Sequence, residues 1–430
     1  MKKTIRRFSV LLNSLLGVAI LGCSLPVLAD AEPVLSKGAY LAKVGDCVSC
    51  HSAPHGKEYA GGLPMITPVG TIYTTNITPD PVTGIGKYSE AEFAKALRKG
   101  IAKDGHHLYP AMPYPSYAKV SDADIHDLYE YFMKEVKPVR HANKPSDIPW
   151  PLNARWPLAA WNFVFLKEGA YASNPKQDAS WNRGAYLVQG LGHCGACHTP
   201  RGLAFQEKGL DEKSKKFMTG NTLEGWSATN LAGDHNTGLG RWSEGDIITY
   251  LKYGANQHSS AFGTMTTVIN NSTEAMSIPD LAAIAKYVKS LAPTGDKGQK
   301  PYNFNADATL DQLKQPTKYA GAKLYGQYCL ACHGATGKGV APYLSPLAGN
   351  PALMDPDPSS LINVILNGSP QLRPQGVAAP YNMPKFRHSL NDEQVAQLVS
   401  FMQASWNHNL EATKASAVAK IRKMPPSAHE

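Results

Sequence analysis

The spacing of apolar residues writes one set of helices three times along the chain. Each set opens with a short amphipathic segment that bears a Gly on one face. These segments are Lys37-Gly38-Ala39-Tyr40-Leu41, Arg183-Gly184-Ala185-Tyr186-Leu187 and Ala320-Gly321-Ala322-Lys323-Leu324. A Gly there lets a second helix approach closely. Each set closes with a candidate for that second helix: 124–134 with Leu128, Tyr129, Tyr131 and Phe132; 280–291 with Leu281, Ile284, Tyr287 and Val288; and 391–403 with Val395, Leu398, Val399 and Phe401. Between them, 89–100, 243–254 and 358–368 read as middle helices, each stopped by Gly. The pattern predicts an all-α chain of three tandem helical domains, with no strand-rich region large enough for a sheet domain.

A length of 430 residues suits three domains of roughly 100–150 residues. The expected divisions are domain 1 at 30–140, domain 2 at 176–294 and domain 3 at 317–408, followed by a tail at 409–430. A Pro- and Trp-rich linker at 141–175 and a polar Pro/Gly linker at 295–316 separate the domains. Trp150, Trp156 and Trp161 suggest that the first linker packs down rather than floating. The tail holds Lys414, Lys420, Arg422 and Lys423 among Ala and Val. It is either a solvated end or an interfacial helix.

The N-terminus is an export signal: Lys2, Lys3, Arg6 and Arg7, an apolar stretch, then Val27-Leu28-Ala29 as the cleavage site. Residues 1–29 are set apart on this basis. The alternatives are a retained anchor, for which the apolar run is short, and a lipoprotein-like start with acylated Cys23. The net charge is +9, and removing the four basic residues of the signal leaves +5. That mild excess is dispersed and carries no nucleic-acid motif, so it reads as a solvated surface.

Seven cysteines change the picture, because six of them fall in one repeated motif. Cys47-Val-Ser-Cys50-His51, Cys194-Gly-Ala-Cys197-His198 and Cys329-Leu-Ala-Cys332-His333 are each C-x-x-C-H, the attachment sequence of c-type haem. Two thiols three positions apart reach the vinyl groups on one edge of a porphyrin, and the adjacent His supplies the proximal iron ligand. A disulfide redox motif needs no His and calls for a thioredoxin-like context. Zinc knuckles pair within one small domain, whereas these pairs lie 147 and 135 residues apart. The cofactor reading is three covalently bound haem c.

A sixth iron ligand is sought in the same place in each repeat. Met112 in Tyr109-Pro-Ala-Met-Pro, Met265 in Phe262-Gly-Thr-Met and Met383 in Tyr381-Asn-Met-Pro-Lys each follow a middle helix, in an expected loop before the last helix. Thioether sulfur favours Fe(II) and raises the potential. Pro beside Met112 and Met383 would stiffen their loops. Met65, Met276, His106 and His107 are rivals, and none recurs at the equivalent place in all three units. A Met in such a place is otherwise a core filler.

At these residues the chain resembles the triheme cytochrome c subunits of membrane-bound bacterial dehydrogenases. The likeness spans nearly all of the mature chain. It rests on the three motifs and on Gly61-Gly-Leu-Pro-Met65, Thr71-Ile-Tyr-Thr-Thr-Asn-Ile-Thr-Pro-Asp80, Tyr109-Pro-Ala-Met-Pro-Tyr-Pro-Ser-Tyr117 and Gly225-Trp-Ser-Ala-Thr-Asn-Leu231. The resemblance implies three cytochrome c-like domains and a separate large subunit, FAD-dependent as in gluconate 2-dehydrogenase. It also admits a PQQ-dependent alcohol dehydrogenase or a polyol or sugar dehydrogenase as the partner, with a small third subunit as an open addition. Electrons would pass to ubiquinone at the periplasmic side of the inner membrane, where the chain would be peripheral. The chain itself has no G-x-G-x-x-G fingerprint for FAD and no catalytic residue for substrate oxidation. A multihaem peroxidase, with one open iron position, is the reading from another class.

Overall fold

The computed structural model describes residues 35–295 and 300–425. The signal expected at 1–29, with Cys23, lies outside the described residues, as do 296–299 of the second linker and 426–430.

The first repeat runs α1 (Lys37–Val44), α2 (Cys47–His51), a hairpin of β1 (Pro64–Thr67) and β2 (Gly70–Tyr73), α3 (Glu90–Lys99), a single turn α4 (Tyr114–Tyr117), and α5 (Asp122–Lys134). Helix α6 (Pro157–Phe165) follows. The second repeat runs α7 (Ala179–Gln189), α8 (Gly195–His198), a hairpin of β3 (Asn221–Leu223) and β4 (Trp226–Ala228), α9 (Glu244–Tyr253), α10 (Thr264–Asn271) and α11 (Ile278–Lys289). After α12 (Asp307–Leu313), the third comprises α13 (Ala320–Tyr328), α14 (Leu330–His333), α15 (Ser359–Asn367) and α16 (Asp392–Ala404), with α17 (Ala415–Arg422) at the end. The two antiparallel hairpins, Pro64↔Tyr73 to Thr67↔Gly70 and Asn221↔Ala228 to Leu223↔Trp226, are the strands of the described residues. The protein is helical.

Local chemistry sets the helix ends. Ser89 with Glu92, Ser243 with Asp246 and Asn391 with Gln394 form reciprocal capping boxes that start α3, α9 and α16. Each such cap is worth about 1 kcal/mol. Gly100 (φ 61°) and Gly254 (φ 79°) close α3 and α9 by donating to Ala96 and Tyr250.

The Gly-bearing helices meet the closing helices as expected. A Cβ on Gly38 would lie 2.1 Å from the Asp127 carbonyl oxygen of α5. One on Gly184 would lie 1.9 Å from that of Ala283 in α11, and one on Gly321 2.5 Å from that of Gln397 in α16. The Cβ of Tyr131, Tyr287 or Phe401 stands beside each crossing. Backbone contacts this close admit only Gly.

The first two repeats share one apolar core, which joins Leu41, Leu128 and Phe132 to Leu187, Leu281 and Tyr287. Asp280 of α11 ties them by accepting from Arg183 Nε and Nη2, both at 2.8 Å, and from the Tyr40 hydroxyl at 2.7 Å. The third repeat has its own core around Tyr325, Ile362, Val399 and Trp406. It is joined to the second through the Ser360 hydroxyl, which accepts from Ser227 N at 2.9 Å and donates to Ser227 O at 3.0 Å.

Three segments depart from their expected character. The first linker holds α6, started by Pro157 in its first turn, where a missing N–H costs nothing. Trp161 packs, but Trp150 and Trp156 stand exposed, so the linker packs down only in part. The second linker holds α12, whose Thr309 hydroxyl accepts from Trp406 N at 2.9 Å. The tail is not wholly solvated, because α17 packs one side against the protein. This helix folds back on the third repeat, buries Val418 and Ile421, and bonds Arg422 to Asp392 at 2.6 Å.

Candidate haem-attachment and iron-ligand sites

Each C-x-x-C-H motif is wound into a single short turn of helix, α2, α8 or α14, that follows a longer helix after one to five intervening residues. Within each turn the His is held in the same way. Nδ1 of His51 lies 2.7 Å from the Thr75 carbonyl oxygen, that of His198 2.7 Å from the Thr229 oxygen, and that of His333 2.9 Å from the Ser345 oxygen. A carbonyl can only accept, so Nδ1 carries the hydrogen and Nε2 keeps its lone pair, as an iron ligand requires. Desolvation holds all three imidazoles below the usual His pKa, which keeps them neutral.

The main chain of the same His is fixed as well. Gly61 N donates to His51 O at 2.7 Å, Gly220 N to His198 O at 2.8 Å, and Gly339 N to His333 O at 3.1 Å. All three glycines have positive φ. A Cβ on Gly61 would fall 2.4 Å from Thr75 C, and one on Gly339 2.3 Å from Leu344 O. The Gly therefore brings the segment carrying the acceptor carbonyl up against the His.

The six motif cysteines are unpaired. Burial pushes the Cys47, Cys194 and Cys329 thiols up to about 12. They rest as neutral thiols, which is unlike a redox-active or zinc-binding thiolate.

The first two motifs adjoin. His193, next to Cys194, has Nε2 3.3 Å from the Gly45 carbonyl oxygen, two residues before Cys47. The Tyr117 ring packs edge-on to His193 at 5.5 Å. Burial is the larger cause of the cost of charging Cys50, and Cys197 is near enough to raise it further.

The candidate sixth ligands are placed less uniformly. Met112 lies half-buried against the shared core before α4, and Met383 is in an irregular segment joined to Ser369 through both its N–H and its carbonyl. Met265 is not in a loop. It sits in the first turn of α10, which starts at Gly263 (φ 55°). Met112 and Met383 are each followed by Pro, which disfavours the helical conformation; Thr266 follows Met265 and permits it. Among the rivals, Met65 lies on β1, Met276 is in the shared core, and exposed His106 pairs with Asp104.

Elements of the second repeat also fit a group with acidic side arms. Asn221 Nδ2, Trp226 Nε1, Trp242 Nε1, Ser260 Oγ and Thr266 Oγ1 are buried donors without a partner among the described residues. Buried donors need acceptors, and the carboxylates of haem are of that kind.

The carbonyls of Thr75, Thr229 and Ser345 escaped the sequence reading because a backbone acceptor has no side-chain signature. A signal did exist for two of them. Thr75-Asn76-Ile77 and Thr229-Asn230-Leu231 repeat, and each Asn accepts from the N–H two residues on, Thr78 or Ala232.

Comparison with known proteins gives a consistent picture. The cytochrome c family pattern matches residues 35–135 and 319–406. The chain is 46% identical over 422 residues to the gluconate 2-dehydrogenase cytochrome c subunit of Pantoea cypripedii, covering 96% of each chain. It is 45% identical to the cytochrome c subunit of the quinone alcohol dehydrogenase of Gluconacetobacter polyoxogenes, covering 97% of this chain and 90% of that one. With the fructose dehydrogenase cytochrome subunit of Gluconobacter japonicus the identity is 34%, over 92% and 84%.

Proposed function

The chain belongs to the family of cytochrome c subunits of bacterial dehydrogenases, and from that premise we propose that it relays electrons from a large dehydrogenase subunit to ubiquinone at the periplasmic face of the inner membrane. The large subunit we favour is of the FAD-dependent gluconate 2-dehydrogenase kind. The observation that carries the reading is the threefold His arrangement, with Nδ1 committed to a backbone carbonyl at 2.7, 2.7 and 2.9 Å.

Three haem c groups are assigned to Cys47/Cys50, Cys194/Cys197 and Cys329/Cys332, in three tandem domains. His51, His198 and His333 are the proximal ligands, and Met112, Met265 and Met383 the distal ones. Each haem, when bound, supplies a one-electron iron couple. The protein's own part is to orient the imidazoles and enclose the groups in helical cores. None of its residues is assigned to oxidation of a C–H bond, which calls for a hydride acceptor held by another subunit.

The quinone alcohol dehydrogenase relative, at 45% identity against 46%, supports a second partner of the PQQ type. Copurification from detergent-solubilised membranes separates the two by the cofactor of the large subunit. The relay itself is tested in membranes lacking this chain. Quinone reduction should be lost, while dye reduction at the large subunit remains. Unchanged quinone reduction would remove the relay role.

A further inference from the structure

Helix α6 is built the wrong way round for a helix on the surface of a water-soluble body. Trp156, Ala159, Ala160, Phe163 and Val164 fall at i, i+3, i+4, i+7 and i+8, the spacing of a core-facing stripe, yet the stripe faces out. Trp156 is 79% exposed, Phe163 92% and Val164 66%. The opposite face is pinned. Trp161 Nε1 donates to Ala204 O at 2.8 Å, the Tyr114 hydroxyl donates to Asn162 Oδ1 at 2.7 Å, and Asn162 Nδ2 donates to Lys99 O at 2.9 Å. The helix is thus held in a fixed rotation that presents its apolar side. Trp150 at 82% exposure and Leu152 extend the surface on one side, and Leu203, in the loop gripped through Ala204, extends it on the other.

We propose that this surface is where the protein lies on a phospholipid bilayer, at the boundary of headgroups and acyl chains; the proposal rests on the electron-relay reading and names the face that meets the membrane. The charge of this segment favours lipid as the occupant. Residues 148–167 contain no acidic residue, and their two charged residues, Arg155 and Lys167, are basic and flank α6. The next residue, Glu168, is acidic and is paired with Lys99 at 2.7 Å. Trp and Phe with flanking basic residues suit an anionic membrane surface. No helix of the described residues is long and apolar enough to cross a membrane. The other candidate, α17, has its apolar side buried in the third repeat. Position supports the same conclusion. Through Tyr114, whose ring meets Trp161 at 6.0 Å, α6 backs onto the segment after Met112, and through Ala204 onto the loop after His198. A lipid-soluble acceptor would then approach the first two sites rather than the third.

The test uses the haem-loaded mature chain and its triple variant Trp156→Ser, Phe163→Ser, Val164→Thr. All three side chains are exposed, so haem spectra and unfolding should match the parent. The parent should sediment with phosphatidylcholine vesicles containing phosphatidylglycerol, and less with phosphatidylcholine alone. The variant should bind at least about tenfold more weakly. Equal vesicle binding by parent and variant would overturn the proposal. So would loss of the dehydrogenase subunit from the variant complex without loss of vesicle binding, because the occupant would then be that protein. Failure of the large subunit to reduce the haems in the unaltered complex would count against the relay reading and leave the docking face standing.

Discussion

The side-chain amide of Asn271 donates to the Ser49 hydroxyl at 2.8 Å, which ties the helix carrying Met265 to the first C-x-x-C-H motif. Ser49 in turn donates to Asp46, and Ser272 Oγ donates to Val44 O at 3.2 Å. Asn270, just before Asn271, faces the third repeat, where its Nδ2 donates to Gln371 O at 2.9 Å and its Oδ1 accepts from Arg373 N at 2.9 Å. One short helix of the second repeat therefore touches both others. Asn271→Ala should lower the unfolding free energy by about 1 kcal/mol, the net worth of one such bond. It should also alter the spectrum of the centre in the first motif and leave the third unchanged. Parallel denaturation and redox titration would show this, and a variant identical to the parent in both would assign the bond no ordering role.

Met112→Ala, Met265→Ala and Met383→Ala should each abolish one low-spin His/Met signature and lower the potential of one centre. Because Met265 alone stands on a helix, its replacement should leave α10 intact, with helical content unchanged by circular dichroism. All-His ligation in the parent, or a response of the first centre to Met65→Ala in place of Met112→Ala, would reassign that ligand. An iron open in the parent would favour the peroxidase reading.

Gly184→Ala places a methyl group 1.9 Å from the Ala283 oxygen and should destabilise the α7–α11 crossing by about 3 kcal/mol or more. Gly326→Ala, also in a helix of this type but with nothing within 4 Å, should stabilise by about 0.5–1 kcal/mol. Chemical unfolding of the two variants side by side separates close approach from helix propensity. Similar behaviour of the two would contradict the crossing geometry.

Asp280 sets an acid limit on the joint of the first two repeats. Burial acts to raise its pKa, but the hydrogen bonds from Arg183 and Tyr40 outweigh it, so the carboxyl titrates below its ordinary value near 3.8. A depressed pKa means that the contribution to stability is complete above the ordinary value and is lost as pH falls through the lower, folded one. Asp280→Asn should cost on the order of 2 kcal/mol at neutral pH. It should also flatten the decline in stability below about pH 4. A pH series of unfolding midpoints with the same slope in parent and variant would count against this account.

The candidate attachment sites were legible as motifs because the thiols and His that would serve one haem stand close together in sequence. Cys47, Cys50 and His51 must be adjacent in sequence to be adjacent on one helical turn, so a five-residue window suffices. The same holds for Ser89, Ser243 and Asn391, whose caps reach only three residues on. Thr75, Thr229 and Ser345 could not be found in this way. They act through carbonyl oxygens 24, 31 and 12 residues from their His, at distances that follow the intervening loop and not a spacing rule.

Read alone, the sequence settles the three C-x-x-C-H motifs, the crossing glycines Gly38, Gly184 and Gly321, and the middle helices, since each depends on residues within a turn or two of one another. Only the tertiary fold settles that the first two repeats fuse around Asp280, Tyr40 and Arg183, because hydrogen bonds between residues 97 and 240 positions apart have no periodic signal. It also decided the fates of α6 and α17. Both are short helices with apolar residues at helical spacing. Whether such a stripe is buried, as Val418 and Ile421 are, or exposed, as Phe163 and Val164 are, depends on which surface the rest of the chain places beneath it.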